Sequence, residues 1–529
     1  MPNLNYDPSK LKRELAPFYI TATENEINQM LKTLGYKKTD DLFSHISQNV
    51  KFDQFEKSGI ERLEYSELVK HVENIACKNK IKTSFLGDGL KVTSKTEMSA
   101  FVCTLRNLVT AYTPYQPERS QGTLQTLWIY SSSMSALTGF EAVNASFYDR
   151  ATALFEALST GCRLKRKNSV LVSEGVYPGD LDVVETQGKF TDLNVIRVPL
   201  SKETGKTDIE KLEELYEQHK DTLATFAFSQ VNCLGQLEDV HTLSDFSRKN
   251  NLSSIGVINP LDLGQHGLIR PSEWGSDKAG VDMFVGEGGP LAAGPTFGGP
   301  GLGLFGIRYN QQNKNAIRQT AGRFVGKAKD ADGRDCLAMI LSTREQHIRR
   351  DKATSNICSN QSFIATMVGA ALLELGSLGL GERLKKSKDN ALNFLNQLKG
   401  ARPAFNGDFV NEVTLHLDQD VDSLIQKASE GGIQLGINVS NRVKGGENLL
   451  LVSFNDIHTE ADITKLVDFF KAHTSSDSHN NSTSFLRAEN LWQGGEVYLK
   501  RFPVRELKDF YIKLDGQNVD CMPPRSYIF

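Results

Sequence analysis

The sequence predicts an α/β protein built on a doubly wound, mostly parallel sheet, and three observations support this. Five short apolar runs rich in β-branched residues recur within about 120 positions, as buried parallel strands do. Amphipathic stretches at 208–219 and 241–250 lie between them and predict crossover helices on the sheet. At 529 residues the chain exceeds what one hydrophobic core fills, so at least two domains are expected. The five predicted strands are 169–172, 194–198, 223–228, 255–258 and 281–285.

The composition is that of an ordinary folded protein and gives no support to several classes of function. Hydrophobic residues make up 39% and charged residues 24%, with a formal net charge of -3, so nothing points to nucleic acid or to an anionic membrane. The seven cysteines have no C-x-x-C spacing and the ten histidines form no paired-ligand pattern, so we expect neither a disulfide framework nor a metal. Without an apolar stretch at the N-terminus, a cytoplasmic location is expected.

The predicted domains follow the chain from end to end. An N-terminal helical segment covers 1–85, where the string TENE at 23–26 is a capping box and Gly35 ends the helix. The large α/β domain covers 86–359. A linking helix at 360–376, too interrupted by Glu374 and glycines to span a membrane, leads into a small α/β domain that ends near 475. In that domain 409–417 and 449–454 predict strands, and 421–429 and 460–473 predict helices. A polar linker and an aromatic-rich extension fill 476–529, with packing on this chain or docking onto a partner as its two interpretations.

The stretch 280–306, GVDMFVGEGGPLAAGPTFGGPGLGLFG, predicts strand, loop, strand, because its centre is too rich in glycine and proline to continue either strand. Residues 301–306 match G-x-G-x-x-G. They open no helix, however, and no G-K-[ST] follows, so a nucleotide site is not predicted.

A second distinctive stretch is TAYTPYQPERSQGTLQ at 110–125. Its prolines force an extended turn, and Pro117 is placed to begin a helix that runs to Gly139. The dense aromatic and amide groups suit either a pocket wall or a solvated helix start, and composition alone does not decide between them.

Together these stretches resemble the glycine decarboxylases, the P-protein of the glycine cleavage system. The catalytic copy of that family reads roughly G-A-D-x-x-x-x-N-L-H-K-T-F and then P-H-G-G-G-G-P-G. Laid on 280–301 without gaps, the pattern puts its lysine column on Pro290, which has no primary amine to form a Schiff base. Other strings of the family are TREQHIRRDKATSNIC at 343–358 and AGRFVG at 321–326, and the resemblance covers roughly 17–473.

The resemblance implies a pyridoxal-phosphate-dependent transferase-like large domain (aspartate aminotransferase-like, fold type I) with a smaller C-terminal α/β domain. It also places the stretch at 110–125 beside the active site, with roles in lining and orienting but none in covalent chemistry. The implied pocket or interface residues are Tyr112, Thr113, Tyr115, Gln116, Ser120 and Gln121.

Two further positions depart from the pattern of a working cofactor site. The first-subunit family usually reads N-A-S-x-Y-D-G-A-T-A at the start of the helix that cradles the cofactor phosphate, and here Arg150 replaces the small residue. We predict that this helix ends at Gly161. We expect its side chain to crowd a phosphate, although an arginine could also attract one. The strand expected to carry the aspartate that holds the pyridinium nitrogen ends at Asn259, with Asp262 close by.

The chain therefore resembles the first, lysine-lacking subunit of a two-chain glycine dehydrogenase (decarboxylating). The resemblance implies that the assembly binds glycine through pyridoxal phosphate held by subunit 2, releases CO2 and transfers the aminomethyl group to the lipoyl group of H-protein. The T- and L-proteins would be functional partners. Two alternatives stay open: a self-sufficient pyridoxal-phosphate lyase that uses a displaced lysine such as Lys278, and a structural or regulatory scaffold for the catalytic subunit.

Overall fold

The computed structural model describes residues 22–51, 63–89, 91–109, 114, 116–294, 299–311, 313–341, 345–357, 361–474 and 496–518. The chain divides into two compact units, residues 1–80 and 81–529.

The first unit contains the helices α1 (Glu24–Leu34) and α2 (Tyr65–Ala76), with a 3₁₀ turn between them at Thr39–Phe43. The predicted capping box is confirmed: Thr23 Oγ1 accepts from the Glu26 N–H, and Glu26 Oε2 accepts from the Thr23 N–H at 2.6 Å. Gly35 ends α1 at a φ of 79°, where a glycine avoids the strain of the left-handed region.

The second unit holds the remaining elements. Its helices are α3 (Glu97–Val102), α4 (Arg106–Val109), α5 (Gln121–Thr138), α6 (Arg150–Lys165), α7 (Pro178–Gly188), α8 (Ile209–His219), α9 (Val240–Lys249), α10 (Gln346–Arg349), α11 (Ser362–Gln397), α12 (Val421–Glu430), α13 (Glu460–His473) and α14 (Val504–Asp515). Its strands are β1 (Thr83–Ser84), β2 (Ala142–Val143), β3 (Ser169–Ser173), β4 (Asn194–Val198), β5 (Leu223–Ser229), β6 (Ser253–Ile258), β7 (Met283–Glu287), β8 (Gly303–Ile307), β9 (Phe324–Lys329), β10 (Asp335–Ile340), β11 (Ala401–Pro403), β12 (Glu412–Leu417), β13 (Ile433–Gln434), β14 (Ile437–Asn438) and β15 (Leu449–Ser453).

The main sheet has seven strands in the order β2-β8-β7-β6-β5-β3-β4. The strands β3 to β7 are parallel, as predicted, whereas β8 is antiparallel to β7 and β2 is antiparallel to β8. Separate apolar clusters lie on the two faces, one around α5 and α11 and the other around α6 and α7. The doubly wound architecture is therefore confirmed.

Two predicted helix ends differ from the structure. Helix α6 continues through Gly161 to Lys165, because Gly161 serves close packing and is not a helix end: a Cβ there would lie 2.1 Å from Thr225 Oγ1 on β5. The helix expected to begin at Pro117 is a 3₁₀ turn, Pro117–Arg119, followed by α5, and Gly139 ends α5 as predicted.

A small domain follows α11. Its antiparallel sheet has the order β11-β12-β15-β14, covered by α12 and α13, so the predicted pairs of strands and helices are confirmed. The turn after β5 joins this domain to the main body through three hydrogen bonds. They are Arg442 Nη1 to Cys233 O (2.9 Å), Thr414 Oγ1 to Leu234 O (2.7 Å) and Leu237 N to Asp408 O (2.8 Å).

Helix α11 is longer than predicted, because the chain resumes its helical path after a kink at Gly376 (φ 59°, ψ -176°). It is the one helix in the described parts of the chain that is long and apolar enough to cross a membrane. Of the 18 residues in its most apolar stretch, 78% are buried. That burial identifies it as a core helix of the fold.

Residues 496–518, which we call the C-terminal segment, pack on the main body. Leu507, Tyr511 and Leu514 of α14 are buried in the same apolar cluster as α5. The segment also meets α11 at its kink, where Leu499 O accepts from the Ser377 N–H and the Phe502 N–H donates to Leu373 O, each at 2.9 Å. Its packing on this chain is confirmed for these residues, while docking onto a partner stays a prediction.

Candidate active site

A cavity of ≈ 390 Å³ lies beyond the carboxyl ends of β3 and β7, where open α/β sheets bind their ligands. Its wall includes the first residues of α6 and α7 and the loop after β7. The wall contains four acidic and two basic side chains: Asp88, Asp149, Asp180 and Glu287, and Lys91 and Arg150.

Glu287, the last residue of β7, directs its carboxylate to the start of α6. One oxygen accepts from the N–H of Arg150 at 3.2 Å, and the other accepts from the N–H groups of Gly289 at 2.9 Å and Leu302 at 2.6 Å. Backbone donors at a helix N-terminus form a natural anion site. In this chain the anion held there is its own carboxylate.

Arg150 extends its guanidinium over the ring of Tyr177, 4.2 Å from the ring centroid. The same group forms two hydrogen bonds to Asp180, one of them from Nη2 to Oδ1 at 3.2 Å. Burial by itself would lower the pKa of Arg150, but the adjacent Asp180 carboxylate outweighs it and the pKa lies above its ordinary value. Burial also raises the pKa of Tyr177 well above its ordinary value, so the phenol is neutral.

Pro290 lies in the 3₁₀ turn Gly289–Leu291, and its carbonyl oxygen accepts from Thr93 Oγ1 at 2.8 Å. The lysine in the described wall of the cavity is Lys91, whose Nζ donates to Asn411 Oδ1 at 3.2 Å. Lys278 is exposed in the turn before β7, at the opposite end of that strand from the cavity, and Lys314 lines a different cavity. The geometry therefore gives no support to Lys278 as a displaced Schiff-base lysine.

The end of β6 carries the two candidates for a pyridinium partner. Asn259 lines a ≈ 30 Å³ space next to the main cavity, between Lys91 and Tyr177. Asp262 is buried in the 3₁₀ turn that follows, and burial raises its pKa, while the charge of Lys91 acts in the opposite direction. The neutral amide of Asn259 therefore holds the position that faces the cavity.

These residues do not fit pyridoxal phosphate. The helix terminus that would take its phosphate binds Glu287, the aromatic face of Tyr177 is covered by Arg150, and the lysine column holds a proline. Arg150, which we expected to crowd a phosphate, stacks its guanidinium on Tyr177 and bonds to Asp180, and the carboxylate of Glu287 lies in the anion site.

The described part of the stretch at 110–125, residues 114 and 116–125, does not line this cavity. Tyr112, Thr113 and Tyr115 lie outside the described residues, and none of the others lines the cavity. Gln116, just before the 3₁₀ turn, is exposed, and Ser120, just before α5, is half-buried. The Gln121 amide is used within the fold: Nε2 donates to Leu337 O at 2.9 Å, and Oε1 accepts from the Leu337 N–H at 3.1 Å.

The string TREQHIRRDKATSNIC is described from 345 to 357 and is anchored to the main body at two buried points. Glu345 forms a bidentate ion pair with Arg323, with distances of 2.6 and 2.8 Å. Ser355 Oγ donates to the carboxylate of Glu156, whose pKa is raised by burial. The exposed helix α10 lies between these anchors, so the arginines at 349 and 350 remain at the surface.

Sequence analysis missed the three residues that close the cofactor position: Glu287, Tyr177 and Asp180. Glu287 lies only three residues before Pro290, between a predicted strand and a glycine-rich loop, so its carboxylate could have been identified from the sequence as a candidate site residue. The other two come from the start of α7, and nothing in the local sequence indicates that they meet Arg150.

The fold defines a protein of the pyridoxal-phosphate fold type I class, and in this chain the anion site beside the cavity holds the carboxylate of Glu287. Solved structures agree with the fold, among them serine palmitoyltransferase of Sphingomonas wittichii (TM-score 0.51, 12% identity, covering 77% of this chain and 96% of that one). A crystal structure of glycine decarboxylase (P-protein) of the glycine cleavage system, in inhibitor-bound form, aligns with a TM-score of 0.71 at 30% identity. It covers 86% of this chain and 99% of that one.

The chain belongs to the glycine cleavage system P-protein family, whose model matches residues 17–470. It is 34% identical over 462 residues to the probable glycine dehydrogenase (decarboxylating) subunit 1 of Legionella pneumophila (strain Lens), covering 86% of this chain and 98% of that protein. It is 35% identical over 452 residues to the protein of the same description from Moorella thermoacetica, covering 85% and 98%.

Proposed function

We propose that this chain is the first, lysine-lacking subunit of a two-chain glycine decarboxylase. The assembly binds glycine through pyridoxal phosphate, releases CO2 and transfers the aminomethyl group to the lipoyl group of H-protein. The cofactor, whose ring supplies the electron sink for decarboxylation, is held by subunit 2. The activity and the presence of a second subunit are inferred from the names of the relatives, which describe subunit 1 of a glycine dehydrogenase (decarboxylating). We place the reaction in the cytoplasm.

The observation that supports this division of labour is that side chains of the chain itself occupy the position where a cofactor would bind. Three backbone N–H groups that could hold a phosphate bind the Glu287 carboxylate, and the place of the lysine amine is taken by Pro290. A chain arranged in this way retains the fold of its relatives but needs a reactive amine from another chain.

The first experiment tests cofactor binding by the chain alone. We expect that incubation with pyridoxal phosphate followed by desalting leaves no visible absorption band, and that borohydride fixes no pyridoxyl group to any lysine. The mixture with subunit 2 treated in the same way is the positive control. A pyridoxyl group on Lys91 or Lys278, found by peptide mass mapping of this chain, would contradict the proposal.

The contribution of this chain to the pair is the wall of the partner's active site. Tyr112, Thr113, Tyr115, Gln116, Ser120 and Gln121 are the proposed contact region, and the exposure of Gln116 just before the 3₁₀ turn is consistent with it. By their residue types these groups orient glycine and exclude water from the reacting carbon. The Gln121 amide, already bonded to β10, acts by holding the wall in place.

The second experiment separates this role from that of a pure scaffold. Gln116→Ala and Tyr112→Phe are expected to lower glycine–bicarbonate exchange by the reconstituted pair, while the affinity for subunit 2 remains unchanged. Gln218→Ala, on the exposed surface of α8, is the matched control. Full exchange activity in both variants would favour the scaffold.

A further inference from the structure

The C-terminal segment bonds to both described ends of the stretch that carries the proposed pocket wall. Before that stretch, Asp515 Oδ1 accepts from the N–H groups of Asn107 at 2.8 Å and Leu108 at 3.2 Å. The Asn107 side-chain amide also donates to Asp515 O and Oδ2, each at 3.3 Å. The last turn of α14 thereby holds the start of α4.

Near the end of the stretch, at Thr123, Asn518 forms a second set of bonds. Its Oδ1 accepts from the Thr123 N–H at 3.0 Å, and its Nδ2 donates to Thr123 Oγ1 at 2.8 Å. The same Nδ2 donates to Asn107 O at 3.2 Å, so one buried amide connects the two ends. A side chain that bridges two backbone segments fixes their separation.

The backbones of α5 and α14 also approach each other very closely. A Cβ on Gly122 would lie 1.8 Å from Leu514 O, so this position has no room for any side chain. In the first half of α14, Lys508 forms an ion pair with Glu97 of α3. The segment is thus seated on three helices.

We propose that the C-terminal segment is a clamp that holds residues 107–108 and residue 123 at a fixed separation, and that it thereby positions the proposed pocket wall for the active site of the assembled pair. The clamp residues are Asp515 and Asn518, which act as positioning residues and touch no substrate. This inference rests on the proposed function, because the stretch between the clamped ends carries the proposed pocket wall.

The clamp lies outside the part of the chain that defines its family. The family model ends at residue 470, and the alignments with the relatives use 98% of their length while leaving 14% of this chain unmatched. A segment beyond the shared fold that bonds just before the 110–125 stretch and near its end is an addition to that fold.

The direct test is amide hydrogen exchange in the full-length chain. Asp515→Ala is expected to make the amides of Asn107 and Leu108 exchange about tenfold faster, because loss of their hydrogen-bond acceptor permits local opening. Asn518→Ala should do the same at Thr123. The matched controls are Asp509→Ala and Gln517→Ala, both exposed on or just after α14. Exchange at these amides no faster than in the controls would overturn the clamp.

The functional test uses the same variants reconstituted with subunit 2. We expect kcat/KM for glycine–bicarbonate exchange to fall about tenfold at unchanged affinity for subunit 2, since misplacement by about 1 Å is costly to catalysis. Asp515→Asn, which keeps one acceptor oxygen, should recover part of the loss and covers the case in which the alanine variant fails to fold. The positioning role alone would be overturned if a clamp variant with accelerated amide hydrogen exchange kept an unchanged kcat/KM while Gln116→Ala lowered kcat/KM. An unchanged kcat/KM in Gln116→Ala would instead overturn the pocket wall and the functional half of this inference with it.

Discussion

Replacement of Arg150 by methionine removes a buried cation whose partner remains in place. The Arg150 and Asp180 side chains are only 14% and 10% exposed. Loss of one member of a buried ion pair costs about 3–5 kcal/mol, because the remaining charge is left uncompensated. The guanidinium also leaves the ring of Tyr177, which adds about 0.5–2 kcal/mol. We expect Arg150→Met to lower the free energy of unfolding by about 4 kcal/mol.

Scanning calorimetry at a fixed scan rate measures this effect. A unit of about 450 residues has an unfolding entropy near 0.9 kcal/mol/K, so the midpoint should fall by about 4 °C. The control is Arg334→Met, which breaks a pair with Asp332 whose side chains are 75% and 65% exposed, and should shift the midpoint by about 1 °C or less.

The double variant Arg150→Met/Asp180→Leu tests the stated cause. Removing both charges should recover more than half of the loss, because no buried carboxylate is then left unpaired. A midpoint for Arg150→Met within the range of the control would refute the reasoning. The reasoning would be refuted equally if the midpoint shift of the double variant were the sum of the shifts of Arg150→Met and Asp180→Leu measured singly.

Three other predictions concern the same unit. Glu287→Ala frees three backbone donors, one at the start of α6 and two in the loop between β7 and β8, so inorganic phosphate should raise the midpoint of the variant more than that of the unaltered chain at equal ionic strength, and equal responses would contradict the anion-site assignment. Burial raises the pKa of Glu238 to about 7, so the folded state retains a proton that the unfolded chain releases near pH 4.5, and stability falls as the pH rises between these values. Glu238→Gln cannot ionise, so its midpoint relative to the unaltered chain should rise from about pH 5 to pH 7.5, and a constant difference would count against the raised pKa. Gly161→Ala places a methyl group against Thr225 on β5 and should cost about 1–3 kcal/mol, measured by the same thermal method, whereas an unchanged midpoint would show that the helix can shift at no cost.

The sheet could be predicted because each strand carries its signal in its own residues. The buried runs that became β3, β5, β6 and β7 are apolar on both faces, as strands covered by helices must be. The glycine-rich loop after β7 was visible for the same reason, and the proline at position 290 followed from the family pattern.

What the sequence could not supply is contact between distant residues. Glu287 closes the anion site only because α6 and the loop before β8 meet it, more than a hundred positions away in one case. Gly161 was interpreted as a helix end because its partner, Thr225 on β5, lies far along the chain. Helix α11 resumes after Gly376 where the C-terminal segment bonds across the kink. In each case a tertiary contact overrides a local signal.

The three hydrogen bonds from the turn after β5 bear on how the small domain can move. At about 0.5–1.5 kcal/mol each, breaking all three would cost roughly 2–4 kcal/mol, and an open arrangement would be populated at a few per cent or less. Enzymes of two-lobed design commonly close around substrate and reopen to release product. Under the proposed division of labour this chain captures no substrate and has no need of such a motion, and a rigid body presents a surface of constant shape to its partner.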